Sequence, residues 1–287
     1  MYNNRHSPGI SASCQDGFTL IELSIVLVII GLIIGSILVG QDMIKAAAIR
    51  AQISQIDKYN AAVNAFRSKY GGLPGDILPA TAASFGFVTR AGTVGEGDNN
   101  GLLTAGTSTS AQGAGEIVVF WNDLSTANLV DGSFVGVDCA YGGSSCTAAS
   151  GGGGGTIPLS QIVPPAKLGG NNVVSIYSTA GSNYFQIIGL VSVNNGGGFL
   201  APGGTAAGTL QMTPQQAYAI DSKLDDGYPG TGTVTSTYFN VDPPGPGQSG
   251  GAGAGNCAHN DVAPTIYNLG LPYANTLTCS ISIRVNF

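Results

Sequence analysis

Carboxylate and amide side chains alternate along one glycine-containing segment, Glu96-Gly97-Asp98-Asn99-Asn100-Gly101. Oxygen ligands at alternate positions beside a sharp glycine turn are how proteins build calcium loops. The glutamate that closes an EF-hand is missing, so a second acid, Glu116 or Asp123, would have to complete the shell. The alternative is a plain turn, for which Asn-Gly is a strong signal. The candidate Ca²⁺ ligands here are Glu96, Asp98 and Asn100.

A second group of acids, Asp221, Asp225 and Asp226, follows at the end of a predicted helix. Asp221 and Asp225 have i, i+4 spacing and would share a helix face. Acids in the last turn oppose the helix dipole, and Ca²⁺ or a nearby cation such as Lys223 would compensate them. The alternative is a solvated helix end closed by Gly227.

Two short patterns in Pro/Gly-rich sequence imitate motifs of enzymes and nucleotide-binding proteins. Residues 247–251 match G-x-S-x-G loosely, and residues 245–250 match G-x-G-x-x-G. Neither has the strand before it and the helix after it that these motifs require. His259, beside Asp261, could be imagined as a base for Ser249. It is a single histidine in loop sequence, which is weak support for catalysis. We therefore expect a protein that is not an enzyme.

One further carboxylate, Glu22, lies in an apolar run from Phe18 to Gly40 that holds no other charge. About 23 residues at 1.5 Å rise make a helix of roughly 34 Å, enough to span a bilayer core. A charge inside such a segment costs on the order of 2.5–3.5 kcal/mol on insertion scales, so Glu22 needs a partner. The run exceeds a usual signal-peptide core and lacks an A-x-A site at its end, which disfavours a cleaved secretory signal and leaves a signal-anchor as the simpler alternative.

The segment Gly17-Phe18-Thr19-Leu20-Ile21-Glu22 with its apolar run resembles the N-terminus of type IV pilins and pseudopilins, the class-III signal family. The resemblance implies that prepilin peptidase cuts after Gly17 and that Phe18 is then N-methylated. It also implies that Glu22 neutralises the terminal ammonium of a neighbouring subunit, because two charges at low dielectric are tolerated only as a pair. Asp16 departs from the family pattern, which more often has basic residues before the cut.

This resemblance implies a structural subunit of a type IV pilus or pilus-like filament. Its partners would be copies of itself or related subunits, prepilin peptidase, the inner membrane and the assembly platform. It would be a single-pass inner-membrane protein before assembly and part of a periplasmic or extracellular filament afterwards. The alternatives are a type II secretion-type pseudopilin and a membrane-anchored surface adhesin. The expected divisions are a leader, residues 1–17; a long helix, 18–70, with a transmembrane half, 18–40; and a globular head, 71–287.

Composition agrees with an exported structural domain. Charged residues make up 9% of the chain, glycine accounts for 45 of 287 residues, and the formal net charge is −6. Such an acidic chain is not expected to bind nucleic acid. The low charge and abundant glycine favour a loop-rich extracytoplasmic β domain.

Four cysteines remain beyond the predicted leader, which contains Cys14. An even number on the exported side predicts two disulfides. Three pairings are possible, and we favour the two local ones, with free buried thiols as the alternative. These pairs are Cys139–Cys146 and Cys257–Cys279.

Residues 41–70 are predicted to continue the long helix, since they contain no Pro or Gly. This second half of the helix is amphipathic. Its apolar stripe predicts packing on a sheet, with Gln52 among the polar residues on other faces. Residues 71–76 end the helix, and 77–115 are expected to be loop. The stripe consists of Ile49, Ile53, Ile56, Val63, Phe66 and Tyr70.

The head is predicted to be α+β, an antiparallel sheet packed on the long N-terminal helix. The strand pair in its middle would be joined through Gly181-Ser182-Asn183. Helices are predicted at Glu116–Leu129 and Pro214–Leu224, and strands at Val173–Tyr177, Tyr184–Val193, Val234–Phe239 and Leu277–Phe287.

Overall fold

The computed structural model describes most of the helix and sheet core. The chain divides into two compact units, Met1–Ala46 and Ala47–Phe287. The described residues are 19–88, 90, 97–104, 115–136, 146–147, 158–189, 192–193, 211–237, 257–259, 266–270, 273–275 and 277–287.

The helices are α1 Leu20–Tyr70, α2 Pro79–Ser84, α3 Glu116–Thr126 and α4 Pro214–Leu224, with 3-10 turns at Leu159–Gln161 and Tyr273–Asn275. The strands are β1 Cys146–Thr147, β2 Asn172–Thr179, β3 Ser182–Gly189, β4 Ser192–Val193, β5 Val234–Thr237, β6 Ala258–His259, β7 Ile266–Tyr267 and β8 Ser280–Val285.

In the first unit, α1 is a continuous apolar helix. It contains Gly31, Gly35 and Gly40 but no proline, and the helix runs through all three glycines. Its large apolar side chains are exposed along the whole described part of this unit. Among the described helices, α1 alone is long and apolar enough to cross a membrane, judged by length and composition.

In the second unit, the same helix turns amphipathic and packs its apolar stripe into the head. Ile56, Val63 and Phe66 are at most 2% exposed. The prediction for Gln52 was wrong, because its side chain is fully buried and its Oε1 accepts a hydrogen bond from the Leu168 N–H at 3.0 Å. Gln52 follows Ile49 by three positions, so it lies on the stripe despite its polarity.

A four-stranded antiparallel sheet forms the centre of the head, in the order β2-β3-β8-β5, which confirms the predicted α+β arrangement. One of its faces carries Ile176, Phe185, Ile283 and Val234 in a single row across the four strands. Phe185 on this face contacts Tyr59 of α1 at a ring distance of 6.1 Å. α3 covers the same face through Phe120 and Trp121, which also contact Phe185.

The β2–β3 hairpin has a tighter turn than predicted. Thr179 pairs with Ser182, so the connection is Ala180-Gly181 rather than Gly181-Ser182-Asn183. Both turn residues have positive φ, 49° and 73°, as in the type I′ turns that match strand twist. Asn183 is therefore a strand residue.

The remaining elements follow the predictions with shifted ends. α4 has the predicted bounds, and Thr213 caps it in a reciprocal capping box with Gln216. α3 ends before Leu129, because Asn128 adopts a φ of 57°. The short helix α2, with Pro79 at its start, occupies a segment predicted to be loop. The four predicted strands correspond to β2, β3, β5 and β8 in the described part of the chain.

A disulfide joins Cys257 to Cys279, one of the two favoured pairs. It joins the residue that precedes β6 to the residue that precedes β8. Cys146 lies in β1, which pairs with β4. Cys139 lies outside the described residues, so its pairing with Cys146 stays a prediction.

Candidate functional site

The N-terminus of α1 holds its carboxylate in a reciprocal cap. The Thr19 N–H and hydroxyl each donate to Glu22 Oε2 at 2.8 Å. In return the Glu22 N–H donates to Thr19 Oγ1 at 3.3 Å. This is the capping-box arrangement, which satisfies backbone donors that a helix start leaves free. The cap places the carboxylate at the start of the helix, where its negative charge is favoured by the dipole.

This capped carboxylate is followed by an uninterrupted apolar surface. From Leu20 to Leu38, every described Leu, Ile and Val side chain is at least 46% exposed. Soluble monomers rarely expose contiguous apolar surface on this scale, so the helix needs lipid or other helices around it. Gly17 and Phe18, the predicted processing residues, lie outside the described part of the chain.

The second site is the acidic loop, residues 97–104, with the carboxylates around it. Asp76, Asp98 and Glu116 each offer one oxygen, and these oxygens lie within 4.8 Å of one another. Asp98 was a predicted ligand and Glu116 a predicted completing acid. Asp76 was missed, because the turn Gly71–Asp76 was interpreted only as the end of α1. Glu96 lies outside the described residues.

The carboxylates hold the acidic loop through its backbone. Asp76 accepts hydrogen bonds from the N–H groups of Asn100 at 3.1 Å and Gly101 at 2.8 Å. Glu116 accepts from Gly97 at 3.1 Å and from Thr104 at 2.8 Å, near the two ends of the loop. The predicted ligand Asn100 instead uses its side-chain amide to donate to Asp98 Oδ2 at 2.7 Å.

A strand residue and a close backbone contact also hold the acidic loop and its carboxylates in place. Asn183 of β3 donates to the Gly101 carbonyl at 2.8 Å and accepts from the Leu103 N–H at 2.9 Å. Gly75 has a φ of +85°, and a Cβ there would lie 2.4 Å from the Glu116 carbonyl oxygen. Glycine at this position thus lets the turn before Asp76 approach the start of α3.

Burial of like charges sets the electrostatics of the acidic loop. Burial raises the pKa of Glu116 to about 8, and the charges of Asp76 and Asp98 add to the rise. The hydrogen bond from Thr104 opposes it. Burial likewise raises the pKa of Asp76. Such a group of carboxylates is stabilised either by a bound proton or by a cation.

Asp123 does not join this group. Its Oδ2 lies 2.5 Å from Arg90 Nη2, and both side chains are almost completely buried. Asp123 also accepts from the Gly75 N–H at 2.7 Å. Burial raises the pKa of Asp123, while the charge of Arg90 lowers it. The acid predicted as an alternative ligand is therefore engaged in a buried ion pair.

The second predicted acidic group also assembles, but with partners of its own. Asp221, Asp225 and Asp226 offer oxygens within 4.8 Å of one another. Asp225 is not on the face of α4 as predicted, because α4 ends at Leu224 and Asp225 has a non-helical φ of −150°. The buried Asp221 accepts from the Tyr267 hydroxyl at 2.7 Å.

Backbone donors and a cation surround Asp225. Burial tends to raise its pKa, but hydrogen bonds from Val234 and Thr233 and the charge of Arg284 bring it below its usual value. Asp226 accepts from the Tyr228 N–H at 2.8 Å. Arg284 is thus one cation that acts on Asp225, and compensation by Lys223 or Ca²⁺ stays a prediction.

The enzyme-like and nucleotide-binding-like patterns at residues 245–251 lie outside the described part of the chain. His259 lies in β6, opposite Ile266 of β7. Ser249 and Asp261 lie outside the described part of the chain.

Comparison with known families finds one match. Residues 12–38 match the family model described as the prokaryotic N-terminal methylation motif. The chain therefore carries the class-III signal of type IV pilins and pseudopilins. No curated protein and no solved structure matches it.

Proposed function

We propose that this protein is a structural subunit of a type IV pilus or a pilus-like filament. The observation that carries the proposal is the methylation motif at residues 12–38, which includes the first part of a continuous helix with exposed apolar side chains. The precursor is a membrane-anchored protein, since that helix is long and apolar enough to cross a bilayer. In the proposed pathway prepilin peptidase cleaves after Gly17, and Phe18 is N-methylated.

Assembly is proposed to proceed through helix packing in the filament core. Glu22 lies at the start of α1, where its described hydrogen bonds come from Thr19. In an apolar surrounding this carboxylate needs a positive partner. The ammonium of Phe18 on a neighbouring subunit would supply it and set the axial register between subunits. The membrane and assembly platform would supply the subunits, and the head would end in the periplasm or outside the cell.

Two other roles are distinguishable from this one. A type II secretion-type pseudopilin would share the motif and Glu22 but form a filament confined to the periplasm. A surface adhesin would use the helix only as an anchor. We favour the filament subunit because a helix with apolar side chains exposed all round can pack against several neighbours. We propose no enzymatic activity.

The deciding experiment is mass spectrometry of the N-terminal peptide in two fractions, material sheared from cells and the residual membrane. A peptide that begins with N-methylated Phe18 in the sheared fraction is the expected result. The same peptide confined to membranes would favour the pseudopilin. An intact Met1 terminus in both fractions would overturn the proposal.

We also propose that Ca²⁺ binds at the acidic loop, now with the ligand set Asp76, Asp98 and Glu116. The support is the convergence of the three carboxylates and the unfavourable repulsion between them without a cation. The group at Asp221 already has Arg284, backbone and hydroxyl partners, so calcium there stays a prediction. The test is a thermal unfolding series with Ca²⁺ and with Mg²⁺ as the control.

A further inference from the structure

The peptide Asn100-Gly101 lies at the exposed edge of the acidic loop, with three hydrogen bonds aimed at the atoms of one reaction. We infer that Asn100 is a site of covalent self-modification, in which the Gly101 nitrogen attacks the Asn100 side chain and converts it to aspartate or isoaspartate. This inference does not rest on filament assembly or on calcium binding.

The nucleophile is held by a base. The Gly101 N–H donates to Asp76 Oδ2 at 2.8 Å, and the Asp76 side chain is buried, at 1% residue exposure. A carboxylate within hydrogen-bond reach of the proton to be removed is placed as a general base. Gly101 has no Cβ to shield its nitrogen, and its φ of +83° disfavours any other residue.

The electrophile is polarised in the same loop. The Leu102 N–H donates to Asn100 Oδ1 at 2.7 Å. When the Gly101 nitrogen attacks Cγ, negative charge develops on this oxygen, and a backbone donor already in place stabilises it as in an oxyanion hole. Asn100 Nδ2, the leaving nitrogen, donates to Asp98 Oδ2 at 2.7 Å. The nucleophile and the developing oxyanion each have a partner of the required kind, and the hydrogen bond to Asp98 orients the leaving nitrogen.

The reaction balances without a redox partner. The amide proton of Gly101 passes to Asp76 as the bond from its nitrogen to Asn100 Cγ forms. Asp76 then returns that proton to the departing nitrogen as the tetrahedral intermediate collapses, the Cγ–Nδ2 bond breaks, and ammonia leaves. Water opens the resulting five-membered imide at either carbonyl. The net change is asparagine plus water giving aspartate, or its backbone isomer, plus ammonia.

The product changes the acidic loop. Aspartate adds a fourth carboxylate beside Asp76, Asp98 and Glu116, and so raises the negative charge of a group that already repels itself. Isoaspartate lengthens the backbone by one carbon and displaces the N–H groups of Gly101 and Leu102 from their acceptors. Solvent exposure of Asn100 lets water reach the imide.

The test is peptide mass spectrometry of the purified full-length protein, aged at neutral pH in a chelator, either native in detergent or fully unfolded in denaturant. We expect Asn100 to react at least about tenfold faster in the native protein, since positioned general bases contribute roughly 10²–10⁴. The same dipeptide at Asn195-Gly196 is the internal reference for handling. A native rate equal to or below the unfolded rate would overturn the inference.

A variant series separates the base from simple exposure of the loop. Asp76→Asn keeps the shape of the side chain and removes the base, so the native rate at Asn100 should fall to the unfolded rate. Asp226→Asn, in the other acidic group, should leave it unchanged. Unchanged modification in a folded Asp76→Asn protein would also contradict the inference. The comparison of native with unfolded wild type decides the matter if that variant does not fold.

Discussion

The two units of the chain use carboxylates in opposite ways. In the first unit Glu22 stands at the start of an exposed apolar helix, and its described partners lie within the first turn. In the second unit the buried Asp76 and Glu116 accept hydrogen bonds from backbone N–H groups of the acidic loop, and the buried Asp221 accepts one from the Tyr267 hydroxyl. The difference teaches that these head carboxylates hold separate segments of their own chain together, whereas the described hydrogen bonds of Glu22 reach no further than Thr19.

The largest expected effect tests the first half of that comparison. Glu22→Ala should leave cleavage after Gly17 intact and reduce filament yield by about 10²-fold, because removal of one partner of a buried pair costs roughly 3–5 kcal/mol. The measurement is the amount of subunit in sheared filaments, with N-terminal mass spectrometry for processing. Asp42→Ala on the same helix is the control and should assemble. Normal yield from Glu22→Ala would contradict the pairing role.

Glu116→Ala should show the reverse pattern. It leaves the N–H groups of Gly97 and Thr104 without their acceptor, so we expect the free energy of unfolding of the head to fall by about 2–3 kcal/mol. Processing at Gly17 should be unchanged. Glu116→Gln, which keeps an acceptor oxygen, is the matched control and should lose less. Denaturant unfolding followed by Trp121 fluorescence measures both, and equal losses would contradict the anchoring role.

Calcium should act on the second unit alone. At about a hundred times the dissociation constant, Ca²⁺ would stabilise the head by about 2.7 kcal/mol. Asp98→Asn should abolish most of this shift, and Asp226→Asn should retain it if the acidic loop is the site. Thermal unfolding with and without chelator reads it out. A shift lost only in Asp226→Asn would move the site to the other acidic group.

The pH dependence should distinguish the two head groups. Glu116 has a folded pKa of about 8 against a usual 4.5, so its folded form retains a proton that the unfolded form has lost. In chelator, the contribution of this bound proton to stability should be complete below about pH 4.5 and should be lost as the pH rises through 8. For Asp221 the corresponding fall ends near pH 6.

Thermal unfolding as a function of pH tests this assignment. Glu116→Gln should remove the upper part of the fall, between pH 6 and 8, and leave the lower part. A wild-type profile that is flat above pH 6 in chelator would show that Glu116 is ionised in the folded head.

The smallest expected effect comes from a substitution in the β2–β3 turn, which contacts neither Glu22 nor the head carboxylates. Ala180 has a φ of 49° in the β2–β3 turn, a conformation that asparagine tolerates better. Ala180→Asn should stabilise the head by about 0.5–1 kcal/mol, since part of the left-handed strain is relieved. Ser178→Asn on the adjoining strand is the control and should bring no gain. Filament yield should be unchanged.

Much of the fold could be predicted, because it depends on local patterns. Helical spacing located the amphipathic part of α1, and the N-cap Thr213 with Pro214 located α4. β-branched and aromatic residues located the strands of the central sheet, together with strict alternation in the last one. Strand ends and the hairpin turn were less accurate, since a turn such as Ala180-Gly181 is selected by the strand register on either side of it. Gln52 was assigned to the wrong helix face, because it is polar. Its position three residues after Ile49 places it on the apolar stripe.

The candidate site could be predicted only in part, since its ligands come from separate segments. Asp98 was found through the alternation of polar residues around it. Asp76 was missed, because the glycine and proline residues before it are fully accounted for by a turn that ends α1. Nothing near Asp123 in the sequence indicates that Arg90 neutralises it at 2.5 Å.

The sequence by itself determined the methylation motif, the apolar helix with its one carboxylate, the helix stripe and the class of fold. These are contiguous or periodic features, and their physical meaning depends on residue order and spacing alone. The tertiary structure alone decided which acids meet, which are paired with arginine, and which backbone N–H groups they hold. Such contacts join residues far apart in the chain, and they form only when the sheet, α3 and the turn after α1 pack around a common core.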